Sequence, residues 1–536
     1  MDQSSMSQSS VERPPVLDAE EFLRNVVGAY NSGTAELHLP ADRNVARSLI
    51  PAGTGAFRDF SYLSQEIPGF IAEKCVGCMD CVTQCPDTAI LAKVVSEPVL
   101  EERLALEEDA EQRERLRGHF VKTSKYYEVP KRRGGTGGLF SIFIDPTKCK
   151  GCAECVAACG THDALGMLQK DREMVPSYQR DFTFFKDLPE TPKEFINEKS
   201  LVDMMLASEA LLYTGGAGSC MGCGEATVLR MLMAATGFVY GPQSFGFVAA
   251  TGCNTVYGST YPYNPFTVPW TNSLFENAPA DAMGVRLRWD QQGREDKKLW
   301  VIGGDGAMYD IGFQSLSRML VSGMNIKVIV LDTQVYSNTG GQTSMASFIG
   351  QDAKMSVFGG AIKGKVERRK ELGLLALMHP EVFVAQVIAS NPNHFYKAVM
   401  AANEFPGPAV VIAYTTCQPE HGVGDDMAAQ QAKLACDTRA FPLFIYDPRK
   451  GATIEERLDL GGNPVRDQDW FTNPKTGEPL TFIDFARSEG RFAKQFDQDG
   501  NPSPALLTAR QERLDNWHVL QELAGIRKPV AKERPR

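Results

Sequence analysis

Between residues 298 and 415, short apolar runs alternate with longer amphipathic stretches. The apolar run 299–302 ends in a glycine-rich turn, and apolar positions then recur at helical spacing at Ile311, Leu316, Met319 and Leu320. Three further apolar runs follow in NIKVIVLD, EVFVAQVIAS and GPAVVIAYTTC. Continuous apolar runs joined by an amphipathic helix predict right-handed βαβ units in a mainly parallel sheet with both faces covered.

Two polar loops follow neighbouring predicted strands. The first contains Asp305 between two glycines, and the second, in DTQVYSNTGGQTS, offers the oxygens of Thr333 and Asn338. Ligands of such sheets bind beyond the carboxyl ends of the strands. A carboxylate on one loop and neutral oxygens on the next suit a Mg²⁺ ion that holds a diphosphate. A GDG turn alone is often only a tight turn, so the prediction depends on the two loops together.

Closer to the N-terminus, eight cysteines form two runs with the spacing C-x2-C-x2-C-x3-C. This is the spacing of bacterial two-cluster ferredoxins, in which the fourth cysteine of each run binds the cluster of the other run. One predicted [4Fe-4S] cluster is therefore held by Cys75, Cys78, Cys81 and Cys159. The second is held by Cys149, Cys152, Cys155 and Cys85. The alternative is a pair of zinc sites, which usually take only two close cysteines from each of two segments.

The length of 536 residues is enough for about two to four domains. The expected organisation is an N-terminal extension (1–64), a ferredoxin-like domain (65–180), a sheet domain (200–450) and a C-terminal tail (451–536). The ferredoxin-like domain carries a charged insert at about 95–140, which predicts a solvated helix followed by a flexible connection in KRRGGTGGLF. The tail reads as polar and irregular, and we expect it to contact a partner.

Composition and charge narrow the class of protein. The chain has 56 Lys and Arg against 66 Asp and Glu, and this mildly negative balance argues against a nucleic-acid binder. The first fifteen residues are polar and are expected to be loose, with no apolar segment of a signal peptide. No apolar run approaches membrane-spanning length, so the expected location is the cytoplasm. Thirteen cysteines in that reducing compartment favour metal binding over disulfides.

Five segments together carry a resemblance to a known family. GDGAMYDIG, LDTQVYSNTGGQ, CMGCGE, ATGCNTVYG and NSLFENA resemble the thiamine-diphosphate domain of the 2-oxoacid:ferredoxin oxidoreductases, and most closely the pyruvate:ferredoxin (pyruvate synthase) branch. The two cysteine runs lie upstream, as they do in that family, and the resemblance covers roughly residues 60–450. It implies an α/β fold, with a parallel-sheet domain that binds thiamine diphosphate and an N-terminal 2[4Fe-4S] ferredoxin-like α+β domain.

The resemblance also implies roles for individual residues. Asp305, the Thr333 hydroxyl and the Val335 carbonyl would coordinate Mg²⁺. Asn338 and Glu225 would be catalytic, with Asn338 near the substrate and Glu225, together with Cys253, against the thiamine. The residues implied to line the diphosphate and thiazolium are Gly304, Asp305, Gly306, Ala307, Met308, Thr333, Gln334, Val335, Tyr336, Ser337 and Asn338.

A third [4Fe-4S] cluster is implied by the same resemblance. Its ligands would be Cys220, Cys223, Cys253 and Cys417. Three clusters would use twelve of the thirteen cysteines and leave Cys436 as a buried structural thiol. The alternatives are a zinc half-site for the first two of these cysteines and ordinary core positions for the other two.

The implied reaction is the oxidative decarboxylation of pyruvate with coenzyme A to acetyl-CoA and CO2, or its reverse. Electrons would pass from thiamine diphosphate through the three clusters to ferredoxin or flavodoxin. Because residues 1–70 and 450–536 offer no second thiamine domain, we expect a partner subunit that carries the pyrimidine-binding and coenzyme A domains, in a dimer of heteromers. One alternative is another 2-oxoacid, such as 2-oxoglutarate, a branched-chain oxoacid or indolepyruvate. The other is a non-catalytic electron-transfer subunit, against which the intact Asp305, Thr333 and Asn338 argue.

Four histidines lie outside any motif that the sequence explains. They are His162, His379, His394 and His421. Packing or surface positions are expected for all four, although the last follows Cys417 closely.

Overall fold

The computed structural model describes residues 18–357 and 363–528, so the predicted loose segment 1–15 lies outside the described residues. The described chain begins with four short helices, which are α1 (Ala19–Phe22), α2 (Gly28–Asn31), α3 (Ala35–His38) and α4 (Arg43–Ala46). Phe22, Val26 and Val27 form a small apolar cluster that packs against Tyr261 and Tyr263. This N-terminal segment therefore lies on the larger part of the molecule.

The cysteine-rich part is built from two antiparallel strand pairs and two short helices that follow the cysteine loops. Its strands are β1 (Glu66–Phe70), β2 (Ile90–Ser96), β3 (Gly138–Ile144) and β4 (Leu165–Gln169). Its helices are α5 (Asp80–Gln84), α6 (Glu97–Leu104), α7 (Ala110–Gly118), α8 (Val129–Arg132), α9 (Glu154–Cys159) and α10 (Met174–Asp187). β1 pairs with β4 and β2 pairs with β3, so the two halves repeat one arrangement of strand, cysteine loop, helix and strand.

The insert between the two cysteine runs differs from the single solvated helix that its charge suggested. It forms α6, α7 and α8 and then enters β3, so part of the predicted flexible connection is strand. Leu100, Leu104 and Leu116 are buried and pack in one cluster with Phe143 of β3 and Phe182 of α10. Three leucines among many charged residues are a weak sequence signal, yet they are enough to anchor short helices when a partner surface exists.

The larger part is an α/β arrangement around one eight-stranded sheet. Its helices before and within the sheet are α11 (Leu201–Met204), α12 (Gly224–Tyr240), α13 (Cys253–Gly258), α14 (Ala278–Gln291), α15 (Phe313–Leu320), α16 (Leu372–Leu377), α17 (Pro392–Glu404), α18 (Gln418–His421) and α19 (Ala428–Asp437). The strands are β5 (Phe245–Ala250), β6 (Trp270–Ser273), β7 (Lys298–Gly304), β8 (Ile326–Asp332), β9 (Phe383–Ile388), β10 (Ala409–Tyr414), β11 (Phe444–Tyr446) and β12 (Leu458–Asp459).

The sheet is parallel except at one edge. The strand order is β12-β11-β9-β10-β8-β7-β5-β6, and only β11 and β12 run antiparallel to their neighbours. The four apolar runs that predicted strands form β7, β8, β9 and β10, and β7–α15–β8 is the predicted βαβ unit. The prediction for Ile311 is wrong, because this side chain is 55% exposed in a turn before α15, whereas Leu316, Met319 and Leu320 are buried.

Helix α12 joins the two parts of the molecule. It is buried from Gly224 to Gly237, which explains a sequence that is apolar on all faces. One apolar core extends from β2 and β3 through α12 to one face of the large sheet. The cysteine-rich part therefore shares its core with the sheet, and the cysteine loops are held against the sheet's carboxyl edge.

The C-terminal segment packs into the opposite face of the sheet and is not the irregular tail that the sequence suggested. It contains α20 (Ile454–Arg457), β13 (Phe471–Thr472), β14 (Pro479–Leu480), α21 (Phe482–Arg487) and α22 (Pro504–Leu523). The rings of Phe482 and Phe485 lie 5.2 and 5.8 Å from that of Phe348, and Trp517 is fully buried. These aromatic residues were hidden among charged neighbours in the sequence, and they are used inside this chain.

Candidate functional site

The first predicted loop pair meets at the carboxyl ends of β7 and β8. Gly304 lies opposite Leu331 in the parallel ladder, so Asp305 and Thr333 leave the sheet side by side. One carboxylate oxygen of Asp305 accepts hydrogen bonds from the Thr333 backbone N–H at 3.2 Å and from its hydroxyl at 3.0 Å. The other accepts from the Ser344 hydroxyl at 2.5 Å. The carboxylate is therefore held in one orientation at the sheet edge.

The second loop turns its oxygens toward the same point. The Thr333 Oγ1 lies 3.0 Å from the Val335 carbonyl oxygen and 2.8 Å from the Ser337 hydroxyl. Gln334 between them has a φ of 57°, a conformation that side chains other than glycine seldom adopt. That turn directs the Gln334 side chain back to Asp332, whose carboxylate accepts its Nε2–H at 2.9 Å. The loop thus exposes hydroxyl and carbonyl oxygens and buries its amide side chain.

These loops line one cavity together with the turn before α13. All residues predicted for the thiamine site line it except Met308 and Gln334, whose side chains are fully buried away from it. Five residues that the sequence reading did not select also line it: Thr251, Gly252, Asn254, Phe275 and Thr339. Most of them lie in ATGCNTVYG or NSLFENA. These motifs therefore indicated the correct segments, although the sequence did not show which of their residues line the cavity. The buried Oδ1 of Asn254 has no hydrogen-bond partner in the part of the chain that the structure describes.

A second cavity adjoins the first and contains four cysteines. Its lining includes Cys220, Cys223, Cys253 and Cys417. They come from the loop before α12, the first turn of α13 and the residue before α18. The two cavities share five wall residues, which are Glu225, Cys253, Thr333, Ser337 and Asn338. Among the shared residues, Asn338 is exposed at the mouth.

The groups around these two cavities favour their protonated forms. Burial, reinforced by the negative charge of Asp305, raises the pKa of Glu225 to about 8, and a hydrogen bond from the Tyr257 hydroxyl at 3.3 Å partly opposes this rise. Burial and the charge of Asp332 likewise raise the pKa of Asp305. Burial raises the pKa of Cys417 to about 11 and also that of Cys253, where the nearby Glu225 adds to it. Bound cations would reverse this preference, because they favour the deprotonated ligands.

The two cysteine runs lie next to each other in the structure. One cavity is lined by three cysteines of the first run and one of the second: Cys75, Cys78, Cys81 and Cys159. His162, which the sequence left unassigned, lines it as well. The other four thiols interact electrostatically as a group, because Cys85 raises the pKa of Cys149, Cys152 and Cys155 in addition to the larger effect of burial.

Each of these groups is spread around a space rather than gathered at a point. Within residues 18–357 and 363–528, no three His, Cys, Asp or Glu side chains converge as ligands of a single metal ion. A cubane cluster binds each of its thiolates to a different iron.

A support behind the second loop escaped the sequence reading entirely. Arg491, from the C-terminal segment, donates to the Thr333 carbonyl oxygen at 3.2 Å and to the Gln334 side-chain oxygen at 3.0 Å. Its guanidinium is paired at 2.5 Å with Glu489, and both side chains are buried. The Nε2 of His421 lies 2.7 Å from the same Thr333 oxygen, where it can donate only as the Nε2–H tautomer. No motif marked Glu489 or Arg491, because Thr333 and Gln334, which Arg491 supports, lie more than 150 residues away in sequence.

The comparisons with known proteins match both parts of the molecule. Residues 250–413 match the thiamine pyrophosphate enzyme, C-terminal TPP binding domain, and residues 74–163 match the 4Fe-4S dicluster domain. The chain carries a thiamine pyrophosphate enzyme domain and a 4Fe-4S dicluster domain. The first match contains Asp305 and Thr333, and the second contains both cysteine runs.

Curated relatives extend over most of the chain. It is 29% identical to a probable pyruvate-flavodoxin oxidoreductase of Escherichia coli over 85% of its length and 42% of the relative's. It is 27% identical to the pyruvate-flavodoxin oxidoreductase of Rhodospirillum rubrum over 96% and 46%, and 26% identical to the pyruvate:ferredoxin oxidoreductase of Moorella thermoacetica over 95% and 46%. The chain therefore spans less than half the length of these relatives.

A solved structure matches less completely. The 2-oxoglutarate:ferredoxin oxidoreductase of Magnetococcus marinus aligns with 38% of this chain and 64% of its own, at 24% identity and a TM-score of 0.33.

In residues 18–357 and 363–528, no helix combines the length and the apolar character that crossing a bilayer requires.

Proposed function

We propose that this chain is the thiamine- and cluster-binding part of a 2-oxoacid oxidoreductase that decarboxylates pyruvate with coenzyme A and passes the electrons to ferredoxin or flavodoxin. One observation carries the proposal: an oxygen-rich cavity at the ends of β7 and β8 shares a wall with a four-cysteine cavity. The names of the curated relatives favour pyruvate and either acceptor.

The first cavity fits a magnesium diphosphate. Mg²⁺ prefers oxygen ligands, and the Asp305 carboxylate, the Thr333 hydroxyl and the Val335 carbonyl offer three at one point. The unpaired Oδ1 of Asn254 offers a further polar contact to a bound cofactor. We propose that these residues hold the metal and that residues 304–307 and 333–338 surround the diphosphate and thiazolium. When bound, thiamine diphosphate supplies the electron sink that decarboxylation of a 2-oxoacid requires.

The chain's own groups then position and screen the reacting centre. Glu225 is buried in the shared wall and, with its pKa near 8, is able to hold a proton at neutral pH beside the cofactor. Asn338 is exposed at the mouth of both cavities, where its amide can contact an incoming 2-oxoacid. Phe275 forms an apolar part of the first cavity's wall and limits access of water there.

The three cysteine groups fit three [4Fe-4S] clusters, which when bound would carry one electron each toward an external acceptor. Their ligand sets are those predicted from the sequence, and Cys436 lies apart from all three. Arg230 of α12 supports this assignment. Its guanidinium is fully buried, is influenced by the charges of Cys85 and Cys81, and has no hydrogen-bond partner for its Nη2 among the described residues. A buried cation with an unused donor suits a neighbour that carries net negative charge and sulfur acceptors.

We further propose that the pyrimidine-binding half and the coenzyme A site are supplied by a partner subunit. The curated relatives are more than twice as long as the stretch matched here, which leaves room for those functions elsewhere in them. Exposed apolar side chains around the first cavity, such as Leu274, Ile311 and Met345, give such a partner a surface to cover.

The decisive experiment is an anaerobic assay of the complex purified with its native partners. Pyruvate and 2-oxoglutarate are supplied separately, each with coenzyme A and with ferredoxin or flavodoxin, and acceptor reduction is followed optically. We expect reduction that requires both pyruvate and coenzyme A. Activity with 2-oxoglutarate alone would reassign the substrate, and a complex with clusters but no bound thiamine diphosphate would identify an electron-transfer subunit instead.

The C-terminal support makes a separate prediction for the metal loop. In Arg491→Met, the Gln334 side-chain oxygen loses its buried donor, and the Thr333 carbonyl loses one of two neighbouring donors, the other being the Nε2 of His421, so the loop is held less firmly in its orientation. We expect about 10- to 100-fold weaker retention of Mg²⁺ and thiamine diphosphate, the usual cost of removing a group that orients metal ligands. Isothermal titration calorimetry with Mg²⁺ and thiamine diphosphate measures this loss of affinity.

Arg487→Met provides the matched control, because Arg487 lies four residues earlier and, among the described residues, contacts the Gly500 carbonyl and the ring of Phe496 and not the metal loop. Equal cofactor affinity in both variants would show that Arg491 does not act on the loop.

A further inference from the structure

A buried ion pair lies where the cysteine-rich part meets the sheet domain. Lys150 stands between Cys149 and Cys152, and Asp87 follows Cys85 by two residues. The Lys150 ammonium lies 2.7 Å from the Asp87 carboxylate, and each side chain is only 3% exposed. An ion pair this deeply buried is costly to desolvate and is seldom a source of net stability, so its presence asks for another explanation.

The same ammonium also reaches the loop of the third cysteine group. It donates to the Ala217 carbonyl at 3.0 Å and to the carbonyl and hydroxyl oxygens of Ser219 at 2.8 and 2.9 Å. Ser219 directly precedes Cys220. With the Asp87 carboxylate, this makes four acceptors around an ammonium that has three N–H protons. The positive charge of Lys150 is therefore compensated by groups from the loop of Asp87 and from the loop before Cys220. Lys150 is thus a direct tie between the backbone beside one cysteine group and the backbone beside another.

The two charges of the pair act on different cysteine groups. Beyond the dominant effect of burial, the Asp87 carboxylate helps to raise the pKa of Cys149 and Cys152. Burial raises the pKa of Cys220, and the positive charge of Lys150 partly offsets that rise. The geometry agrees with this division: the Lys150 ammonium contacts the Ser219 carbonyl next to Cys220, whereas Asp87 lies two residues from Cys85, a proposed ligand of the second run's cluster.

We propose that the Lys150–Asp87 pair positions these two loops against each other and sets the difference between the reduction potentials of the clusters bound there. This inference rests on the proposed function, because it assumes a [4Fe-4S] cluster on each group. Reduction adds one negative charge to a cluster. A nearby cation favours that added charge and a nearby anion disfavours it, and the effect is large where water is excluded. Lys150 and Asp87 act by positioning the loops and through their charges, and neither is a cluster ligand.

The test is an anaerobic redox titration of the purified native complex, followed by electron paramagnetic resonance, in Asp87→Asn and Lys150→Met. Asp87→Asn leaves the cation uncompensated, so we expect a cluster potential to rise. Lys150→Met removes the cation and leaves the Asp87 carboxylate without its partner, so we expect a potential to fall. A change of about tenfold in the ratio of reduced to oxidised cluster at fixed potential corresponds to about 59 mV for a one-electron couple.

Two controls separate charge from damage. The double variant Lys150→Met with Asp87→Asn removes both charges and is expected to return the potentials toward those of the unmodified complex. Lys93→Met removes another buried cation of the cysteine-rich part, one held by the carbonyls of Phe185 and Leu188, and is expected to leave the potentials unchanged. Iron and sulfide content is measured in every variant before titration.

Opposite shifts in the two single variants support the proposal. Unshifted potentials, or shifts in the same direction, with full iron content overturn it. If Lys150→Met loses iron, Asp87→Asn alone decides, since a potential that does not rise there is sufficient to reject the inference. A lack of cubane signals in the unmodified complex would instead overturn the proposed function.

Discussion

Asp305→Asn is expected to abolish binding of thiamine diphosphate and with it all 2-oxoacid-dependent turnover. The carboxylate brings the only negative charge among the three oxygens proposed for Mg²⁺, and one of its oxygens is already fixed by Thr333. An asparagine keeps the shape but offers the metal a single neutral oxygen. Because groups that merely orient metal ligands cost about 10- to 100-fold in affinity, loss of the charged ligand is expected to exceed about 100-fold. Cofactor content after gel filtration and titration calorimetry measure the effect.

Asp310→Asn is the matched control for this change. Asp310 lies in the turn that begins after Asp305, accepts hydrogen bonds from the Met345 N–H at 3.1 and 3.3 Å, and does not line the cavity. We expect this variant to keep its cofactor and its clusters. If Asp305→Asn retained thiamine diphosphate as firmly as Asp310→Asn, the assignment of the metal site would be wrong.

Cys417→Ala is expected to remove one complete cluster while leaving the other two in place. Cys417 is the one member of its group that follows β10, and it stands directly before α18. With three thiolates left, the cluster has no fourth ligand in its buried cavity. Anaerobic iron and acid-labile sulfide analysis should fall from about twelve to about eight of each per chain, the content of three and two cubanes. Acceptor reduction should be lost, although thiamine diphosphate stays bound.

Cys436→Ala tests the specificity of that result. Cys436 is also buried, but it packs in an apolar core, and its sulfur lies 4.0 Å from the Gly462 carbonyl and 3.7 Å from the Asn463 side chain. We expect its iron content and activity to match those of the unmodified complex. Loss of iron in Cys436→Ala, or twelve irons in Cys417→Ala, would contradict the proposed division of the cysteines.

Sequence patterns predicted the parts of the fold whose causes are local. The strands β7 to β10 were readable because a strand covered on both faces must be apolar throughout. The grouping of Cys75 with Cys159 could be proposed from the sequence because a short cysteine run offers three thiolates to one cluster and sends its fourth to the other. Asp305 and Thr333 could be placed together because neighbouring parallel strands end at the same edge.

The direction of single side chains was less accessible. Met308 and Gln334 lie inside the matched motifs, yet both point away from the cavity. For Gln334 the reason is a left-handed backbone conformation, which no spacing rule announces. Asn254 shows the opposite case, because its side chain lines the cavity although the sequence did not single it out from its neighbours beside Cys253.

The sequence by itself indicated the chemistry that we propose for this protein: the oxygens proposed to hold a metal diphosphate, the thiolates proposed to hold clusters, and the strands that bring those oxygens together. Only the tertiary structure decided how these centres are supported and joined, through Arg491 behind the metal loop and Lys150 between two cysteine groups. The physical reason is the range of the interactions. Ligand spacing and strand burial act over a few neighbouring residues, whereas a buried charge takes whatever acceptors the completed fold brings to it, however distant they are along the chain.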